Sequence, residues 1–239
     1  MAGRLGTRGR FALAYLVLGA TVGVGVGFFI VLVQRPGPLP PPPWSSWTPA
    51  ASSTSQRVLE IAQHVGNGYK LRTGDPLVGV KVSGATGSNF QGVVVLDKGQ
   101  TSGQQYTKND TAMFILCGTS KNCALSEGDP STARGTVLRR EALELALYTL
   151  EYAHPIDNVL IFYPPAPGDK TLSSTLFFRR DDLSGSLKSP LRKTLPQAQP
   201  PLPGRIVPRE KQTVDDLTGK QLYDYLGVSQ NLVVIQPPA

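Results

Sequence analysis

The chain has 239 residues, a formal net charge of +7 and a pI near 9.5. Four basic residues, Arg4, Arg8, Arg10 and Arg35, lie in the first 35 residues, which contain no acid, so the remainder carries a net charge of only +3. This weak excess excludes the concentrated positive charge of a typical nucleic-acid-binding domain, and we expect no nucleic-acid partner.

The N-terminal segment Phe11–Val33 is apolar and contains no charged residue. A helix of this length reaches roughly 34 Å, which is enough to cross the hydrocarbon core of a bilayer. We therefore predict one transmembrane helix over residues 11–33. By the positive-inside rule, residues 1–10 form a cytoplasmic basic tail and the later residues lie outside the cytoplasmic membrane, in a single-pass topology. The alternative is a cleaved signal peptide, whose apolar region would span only about 7–15 residues.

Three glycines, Gly19, Gly23 and Gly27, recur at four-residue spacing in this segment. Overlapping GxxxG motifs let membrane helices approach closely, so they predict packing against another membrane subunit or a second copy. The alternative is that glycine is simply common in membrane helices.

Residues 34–55 are rich in proline and predict a semi-rigid polyproline II linker. Trp44 and Trp47 lie in it, either at the headgroup level of a membrane or without a fixed site.

Residues 56–185 mix helical and strand patterns and predict an extracytoplasmic α+β domain with a mixed sheet and about three helices. The strongest helical pattern covers Leu138–Leu150, with a broad apolar face and four charged residues opposite: Arg140, Glu141, Glu144 and Glu151. The strand near Ala112, this helix and the strand near Val159 are expected to form one βαβ crossover. Further strands are expected at 77–83, 90–96, 175–179 and 232–236.

Two cysteines, Cys117 and Cys123, enclose five turn-forming residues. In an oxidising compartment this spacing predicts one disulfide. It does not suit a metal site, because both histidines are far away in sequence.

Residues 186–212 combine prolines with basic residues and predict an extended basic arm. Such a tract can contact anionic lipid or a wall polymer, and the alternative is a solvated loop. The candidate contact residues are Lys188, Arg192, Lys193, Arg205 and Arg209.

Residues 213–239 predict a C-terminal unit, a helix over 217–226 followed by a strand over 232–236, that packs on the same domain. The strand segments 158–163 and 231–236 are both followed by Pro-Pro-Ala. This echo indicates either two neighbouring helix–strand units in one sheet or a chance similarity.

No motif in the chain points to a reaction. There is no phosphate loop, no nucleophile elbow and no histidine pair that could hold zinc, so no cofactor or metal is expected and an enzyme is disfavoured. His64 and His154 are interpreted as surface or capping groups. The pair Asp181–Asp182 fits a strand end, and Asp215–Asp216 fits the residues just before a helix.

The stretches Leu138–Leu150 and Phe177–Leu183 resemble stretches in uncharacterised single-pass envelope proteins of actinobacteria. The resemblance implies a compartment, the cell envelope, but no reaction.

The favoured hypothesis is a membrane-anchored, non-catalytic interaction or assembly subunit of a larger membrane complex. The first alternative is a surface ligand-binding or sensory domain, which requires a closed apolar pocket. The second is an envelope hydrolase, which requires two acids that converge in a cleft.

Overall fold

The computed structural model describes residues 7–33, 43–83, 90–98, 102–118, 131–165 and 174–238. The chain divides into two compact units, Met1–Pro42 and Pro43–Ala239. In the first unit, residues Thr7–Val33 form helix α1. The second unit contains the sheet and all the other described helices.

Helix α1 does not support the transmembrane part of the predicted fold class. Over the residues that the structure describes, no helix combines the length and the apolar character that a membrane crossing requires. The longest continuous run of described side chains in α1 is Tyr15–Val24, and all of them are exposed. Such a run spans roughly 15 Å, about half of a hydrocarbon core. The prediction of a membrane-spanning helix is therefore wrong on this finding.

The second unit has two long helices, each with a serine cap. Helix α2 spans Thr54–Gly68 and begins after Ser53, whose side chain accepts a hydrogen bond from the Gln56 amide. Helix α3 spans Thr132–Tyr152 and begins after Ser131 in the same way. The remaining described helices are α4 (Ser184–Leu187), α5 (Leu191–Thr194), α6 (Pro208–Thr218) and two 3₁₀ helices, Arg180–Leu183 and Gly219–Gln221. The expected number of about three was too low, because short helices form in the proline-rich region.

One mixed sheet of eight strands organises this unit, in the order β1-β4-β5-β6-β7-β8-β2-β3. The pairs β4–β5 and β2–β8 are parallel, and the other neighbours are antiparallel. The architecture is α+β. The strands are β1 (Gly79–Ser83), β2 (Gly92–Leu96), β3 (Gly103–Thr107), β4 (Thr111–Cys117), β5 (Asn158–Phe162), β6 (Ser174–Arg179), β7 (Leu222–Ser229) and β8 (Leu232–Gln236).

The central crossover is β4–α3–β5, in which β4 and β5 pair in parallel. This confirms the predicted βαβ arrangement of these three elements. One side of β4–β6 packs against α2 and α3, where Phe114, Ile161, Leu176 and Phe178 are all fully buried. Burial of each such side chain contributes about 1.5–3 kcal/mol, so this layer holds the helices on the sheet.

The sheet curls strongly, so that strand β3 at one edge lies over the central strand β6. Three strands separate β3 from β6 in the sheet order, yet the rings of Tyr106 and Phe177 lie 4.9 Å apart. The rings of Phe162 and Tyr225 also meet, at 5.2 Å. A flat sheet could not bring these strands together, and strong twist explains the contact. The curled side therefore encloses a second apolar cluster that contains no residue from a described helix.

Residues 43–55 of the predicted linker and the predicted arm belong to the second unit, whereas residues 34–42 of the linker lie outside the described residues. Trp44 and Trp47 pack on the helix-side core, so neither is a free linker aromatic. In the arm, Leu195 is buried, and α4 and α5 form on either side of Pro190. The proline content predicted the irregular path but not its contacts, which are distant in sequence.

The C-terminal region differs from its prediction. Helix α6 ends at Thr218, and residues 222–229 form strand β7, although the predicted helix included 222–226. Strands β7 and β8 make a hairpin in which both turn residues, Gln230 and Asn231, have positive φ, as a two-residue hairpin turn requires. The echo strands β5 and β8 lie in one sheet but are not neighbours, because β6 and β7 separate them.

Candidate functional site

A buried ionic network connects four separate parts of the fold. The Arg140 side chain on α3 is 1% exposed, and its Nε donates to Glu210 on α6. Its Nη1 lies 2.8 Å from Glu144 and also donates to the Tyr69 hydroxyl, while Nη2 donates to the Gln197 carbonyl at 2.9 Å. We call these five residues the Arg140 network. Its members come from α3, α6, the end of α2 and the proline-rich arm.

The acceptors in the Arg140 network are also satisfied. The second carboxylate oxygen of Glu210 accepts from the Gln197 amide at 2.9 Å, and the Tyr69 hydroxyl donates to Glu144 at 2.6 Å. Burial raises the pKa of the Tyr69 phenol, and the Glu144 charge raises it further, so Tyr69 stays protonated as a donor. A buried network in which each member has its partners specifies one packing arrangement. Its chemistry is therefore structural.

Glu141, the next residue along α3, is buried without any such partner. It is fully buried, and within the described part of the chain neither of its carboxylate oxygens has a hydrogen-bond partner. Burial raises the pKa of the Glu141 carboxyl well above its usual range, and the Glu144 charge adds to this. The nearby Tyr163 hydroxyl is also buried and without a described partner. Burial thus favours the neutral, protonated form of the Glu141 carboxyl.

An aromatic cluster fixes the start of the second unit on α2 and α3. The Trp47 ring stacks on His64 with centroids 3.9 Å apart and planes 4° apart. The Trp44 ring meets Tyr148 and Tyr152 edge-on, at 5.6 Å in each case. Burial lowers the pKa of the His64 imidazole. Offset and edge-on rings of this kind stabilise packing by about 0.5–1.5 kcal/mol per pair.

The side of the sheet that the helices cover at β4–β6 continues beyond β6 without cover from any described helix. The register pairs Leu176, which faces the helices, with Leu222 on β7. Asp224 on β7 in turn pairs with Gln236 on β8. Because side chains alternate along a strand, Val234 points to this same side. The helix-side cluster includes none of the described residues of β7, β8, β2 or β3.

We call this uncovered surface the outer face, and it comprises Val94, Leu226, Leu232 and Val234. Val94 pairs with Val234 across the β2–β8 ladder, and Leu226 is the additional residue of a bulge opposite Val234. Leu226 is 51% exposed, and the other three are half-buried. Val228 differs, because it pairs with Val233 and so belongs to the curled side of the sheet.

Strand β3 borders the outer face as one edge of the sheet. It reads Gly-Gln-Gln-Tyr-Thr, and four of its five residues are exposed. Natural edge strands are commonly protected by charges or proline, and β3 has neither. No described strand pairs with the outer edge of β3, so its backbone can pair with a further strand.

One cleft of about 580 Å³ lies between the start of α2, the end of β1 and the start of β4. Its lining combines apolar residues such as Val58 and Met113 with polar ones such as Ser55 and Lys108. It is not the closed apolar pocket that a sensory domain was expected to have.

The predicted site residues belong to both units, and each group is described by itself. In the first unit, a Cβ added at Gly19 or Gly23 would meet no described atom within 4 Å, and Gly27 lies on the same helix, but its surroundings are not described. Cys117 ends β4 and is not a free thiol, whereas Cys123 lies outside the described residues. Both the helix-packing role and the Cys117–Cys123 disulfide remain predictions.

The five candidate basic residues of the arm are all exposed. They are Lys188, Arg192, Lys193, Arg205 and Arg209.

The acid pairs are engaged in local structure. Asp182 accepts from the backbone and side chain of Arg179 at the end of β6, as expected for a strand end. Asp215 binds Arg139 at 2.5 Å and Lys211 at 2.6 Å. Asp215 and Asp216 lie in the last turns of α6, so their predicted place before a helix was wrong. The helix begins earlier than expected, at Pro208.

Sequence reasoning missed the residues that matter most in this description. Arg140 and Glu141 were placed on a solvent-facing side of α3, but α6 and the arm cover that side. The outer face was missed because β7 was interpreted as a helix. The alternation of Tyr223 and Tyr225 with Leu222, Asp224 and Leu226 was the available signal for a strand.

No protein-family model matches the chain, and no curated protein or solved structure is significantly similar to it.

Proposed function

We propose that the unit Pro43–Ala239 is a non-catalytic interaction domain that binds another protein through its outer face. The observation that carries this proposal is an apolar sheet surface that extends past the helices which cover the rest of the same side. A single exposed leucine needs no explanation, but contiguous apolar residues on a sheet mark an interaction site.

The neighbouring edge strand supports a protein partner. A protein can lay apolar side chains on Val94, Leu226 and Val234 and can also pair a strand with the open backbone of β3. Addition of a strand to a sheet edge is a common mode of peptide recognition, in which backbone hydrogen bonds supply affinity. The polar groups of the Arg140 network, in contrast, face inward and are used for packing.

Site-specific photo-crosslinking in the full chain tests the proposal. A photoreactive phenylalanine analogue at position 226 is expected to crosslink a second protein in the producing cell. The same analogue at position 228 is the control, because Val228 is 61% exposed but lies on the other side of the same strand.

Substitution then tests the energetics of the contact. Leu226→Asp is expected to weaken binding of the crosslinked partner at least about tenfold, equivalent to about 1.4 kcal/mol. Val228→Asp should leave binding within about twofold, since a solvated position off the interface contributes little. Equal crosslinking at both positions, or equal loss of binding in both variants, would refute the proposal.

A further inference from the structure

The proline-rich arm carries several exposed basic residues and no exposed acidic residue. Only one acid, Glu210, occurs between positions 188 and 211, and it is fully buried in the Arg140 network. Lys211 is neutralised by Asp215 at 2.6 Å. Five basic side chains remain, all exposed and none in an ion pair within the described part of the chain: Lys188, Arg192, Lys193, Arg205 and Arg209. We call these five the basic surface.

Gln197 fixes the second part of the basic surface, around Arg205, to the segment that follows α5. Its side-chain oxygen accepts from the Val207 amide at 3.0 Å, and its side-chain nitrogen donates to the Arg205 carbonyl at 3.4 Å. Its backbone is bound at both polar atoms, by Arg140 and Glu210. The segment with Arg205 therefore lies beside the segment that follows α5. These basic residues are displayed on fixed backbone and not on a solvated loop.

An apolar side chain lies within the basic surface. Val207 is 41% exposed and stands between Arg205 and Arg209 in sequence. The acids on α6 oppose a contact with an anionic layer only weakly. Glu210 is buried, Asp215 is bound to Arg139 and Lys211, and Asp216 lies nearly two turns beyond Arg209.

We propose that the basic surface, with Val207, docks onto the headgroup layer of an anionic phospholipid bilayer. Clusters of four to eight Lys and Arg side chains attract anionic headgroups, and each contributes about a fivefold gain in binding. An adjacent exposed aliphatic group favours a bilayer over a soluble polyanion, because only the bilayer offers an apolar layer below its charges.

Hydrogen–deuterium exchange of the full chain tests this proposal. Backbone amides in 188–211 are compared in buffer, with phosphatidylcholine vesicles, and with vesicles that also contain phosphatidylglycerol. Protection is expected only with the anionic vesicles. This local readout does not depend on how any other segment of the chain interacts with lipid.

Variants separate the basic surface from total charge. Glutamine at all five positions is expected to reduce the vesicle-dependent protection at least about tenfold. The matched control removes five exposed charges elsewhere, Lys70, Arg72, Lys98, Lys108 and Lys220, and should retain the protection. Arg192→Gln with Lys193→Gln is a smaller change that tests the same surface if the larger variant folds poorly. Val207→Ser should give a partial loss.

Three results would overturn the proposal. One is equal protection on neutral and anionic vesicles, and another is protection that survives in the five-residue variant. The third is protection by soluble polyphosphate but not by vesicles, which would assign the surface to a soluble polyanion.

Discussion

Arg140 and Glu210 form an ion pair across 70 residues of sequence in which both side chains are almost completely removed from solvent. The proline-rich arm takes part in this pair, because Gln197 binds both partners. The pair therefore joins α3 and α6 to a segment that has little regular structure of its own.

Loss of one partner of this pair should be costly. Glu210→Ala leaves the Arg140 charge buried without its Nε acceptor, and removal of one partner from a buried pair typically costs about 3–5 kcal/mol. Urea unfolding followed by circular dichroism measures the loss. Asp216→Ala on the same helix is the control and should change stability by less than about 0.5 kcal/mol. A similar loss of unfolding free energy in both variants would show that the Arg140–Glu210 pair stabilises the fold no more than an exposed residue of α6 does.

Replacement of Glu141 should have an effect that depends on pH. Burial raises the pKa of this carboxyl in the folded state, whereas the unfolded chain releases the proton near 4.5. The folded state then holds a proton that the unfolded state has lost, so Glu141 lowers stability increasingly as the pH rises above that value. Glu141→Gln should therefore gain stability relative to the native chain between about pH 4 and pH 7.

The free energy of unfolding is measured for Glu141→Gln and for the native chain at about pH 4 and at about pH 7. The difference between the two proteins is then compared between the two pH values. Asp216→Asn is the matched control for loss of a carboxylate, and its difference should be the smaller of the two. A gap for Glu141→Gln that shrinks towards neutral pH would contradict the assignment of a neutral buried acid.

The stack of His64 on Trp47 should make stability sensitive to mild acid. Burial lowers the pKa of the folded imidazole below the unfolded value of 6.5. The unfolded chain therefore binds a proton first as the pH falls, and stability is lost from 6.5 downward until the folded imidazole also titrates. Thermal unfolding across this window should show the loss, and His64→Phe should reduce it. An unchanged pH dependence in that variant would place the sensitivity elsewhere.

Gly92 should not tolerate a side chain. Its φ is +150°, and an added Cβ would lie 2.0 Å from the Tyr106 carbonyl oxygen on the adjacent strand β3. Because that oxygen belongs to the backbone, β3 has to move, and we expect Gly92→Ala to cost about 1–3 kcal/mol. Gly135→Ala in α3 is the control, since its added Cβ meets no described atom within 4 Å. A helical alanine should stabilise by up to about 1 kcal/mol. Loss of stability in both variants would argue against a specific β2–β3 clash.

Patterns local in sequence predicted the elements that pack on their own neighbours. The β4–α3–β5 crossover was predictable because two apolar strand patterns flank one long helical pattern. Strand β3 was not predictable, because its sequence lacks the alternation of apolar and polar residues that marks a half-buried strand. Strand β7 was partly predicted as helix, over 222–226, where Leu222 and Leu226 are four residues apart. The bulge at Leu226 further disturbs the period of two.

The candidate surfaces were less accessible to sequence reasoning than the fold. The outer face exists only because α2 and α3 stop short of β7, which depends on strand order. The charges of Arg140 and Glu210 lie far apart in the chain, and nothing at either position indicates burial. The basic surface was predicted as a set of residues. Only the structure shows that Glu210, the one acid in this stretch, is buried and so does not neutralise the basic surface.

The hydrogen bonds of Gln197 also determine where this chain can be truncated without disruption of the fold. A shortened chain that ends before Ser186, at what its composition suggests is a natural boundary, would lack Gln197, Glu210 and strands β7 and β8. It would leave a buried guanidinium on α3 without its carboxylate and would expose the inner face of β6. The proline-rich segment is therefore an unsuitable place for a truncation, a tag or a protease site, and an intact second unit has to include it.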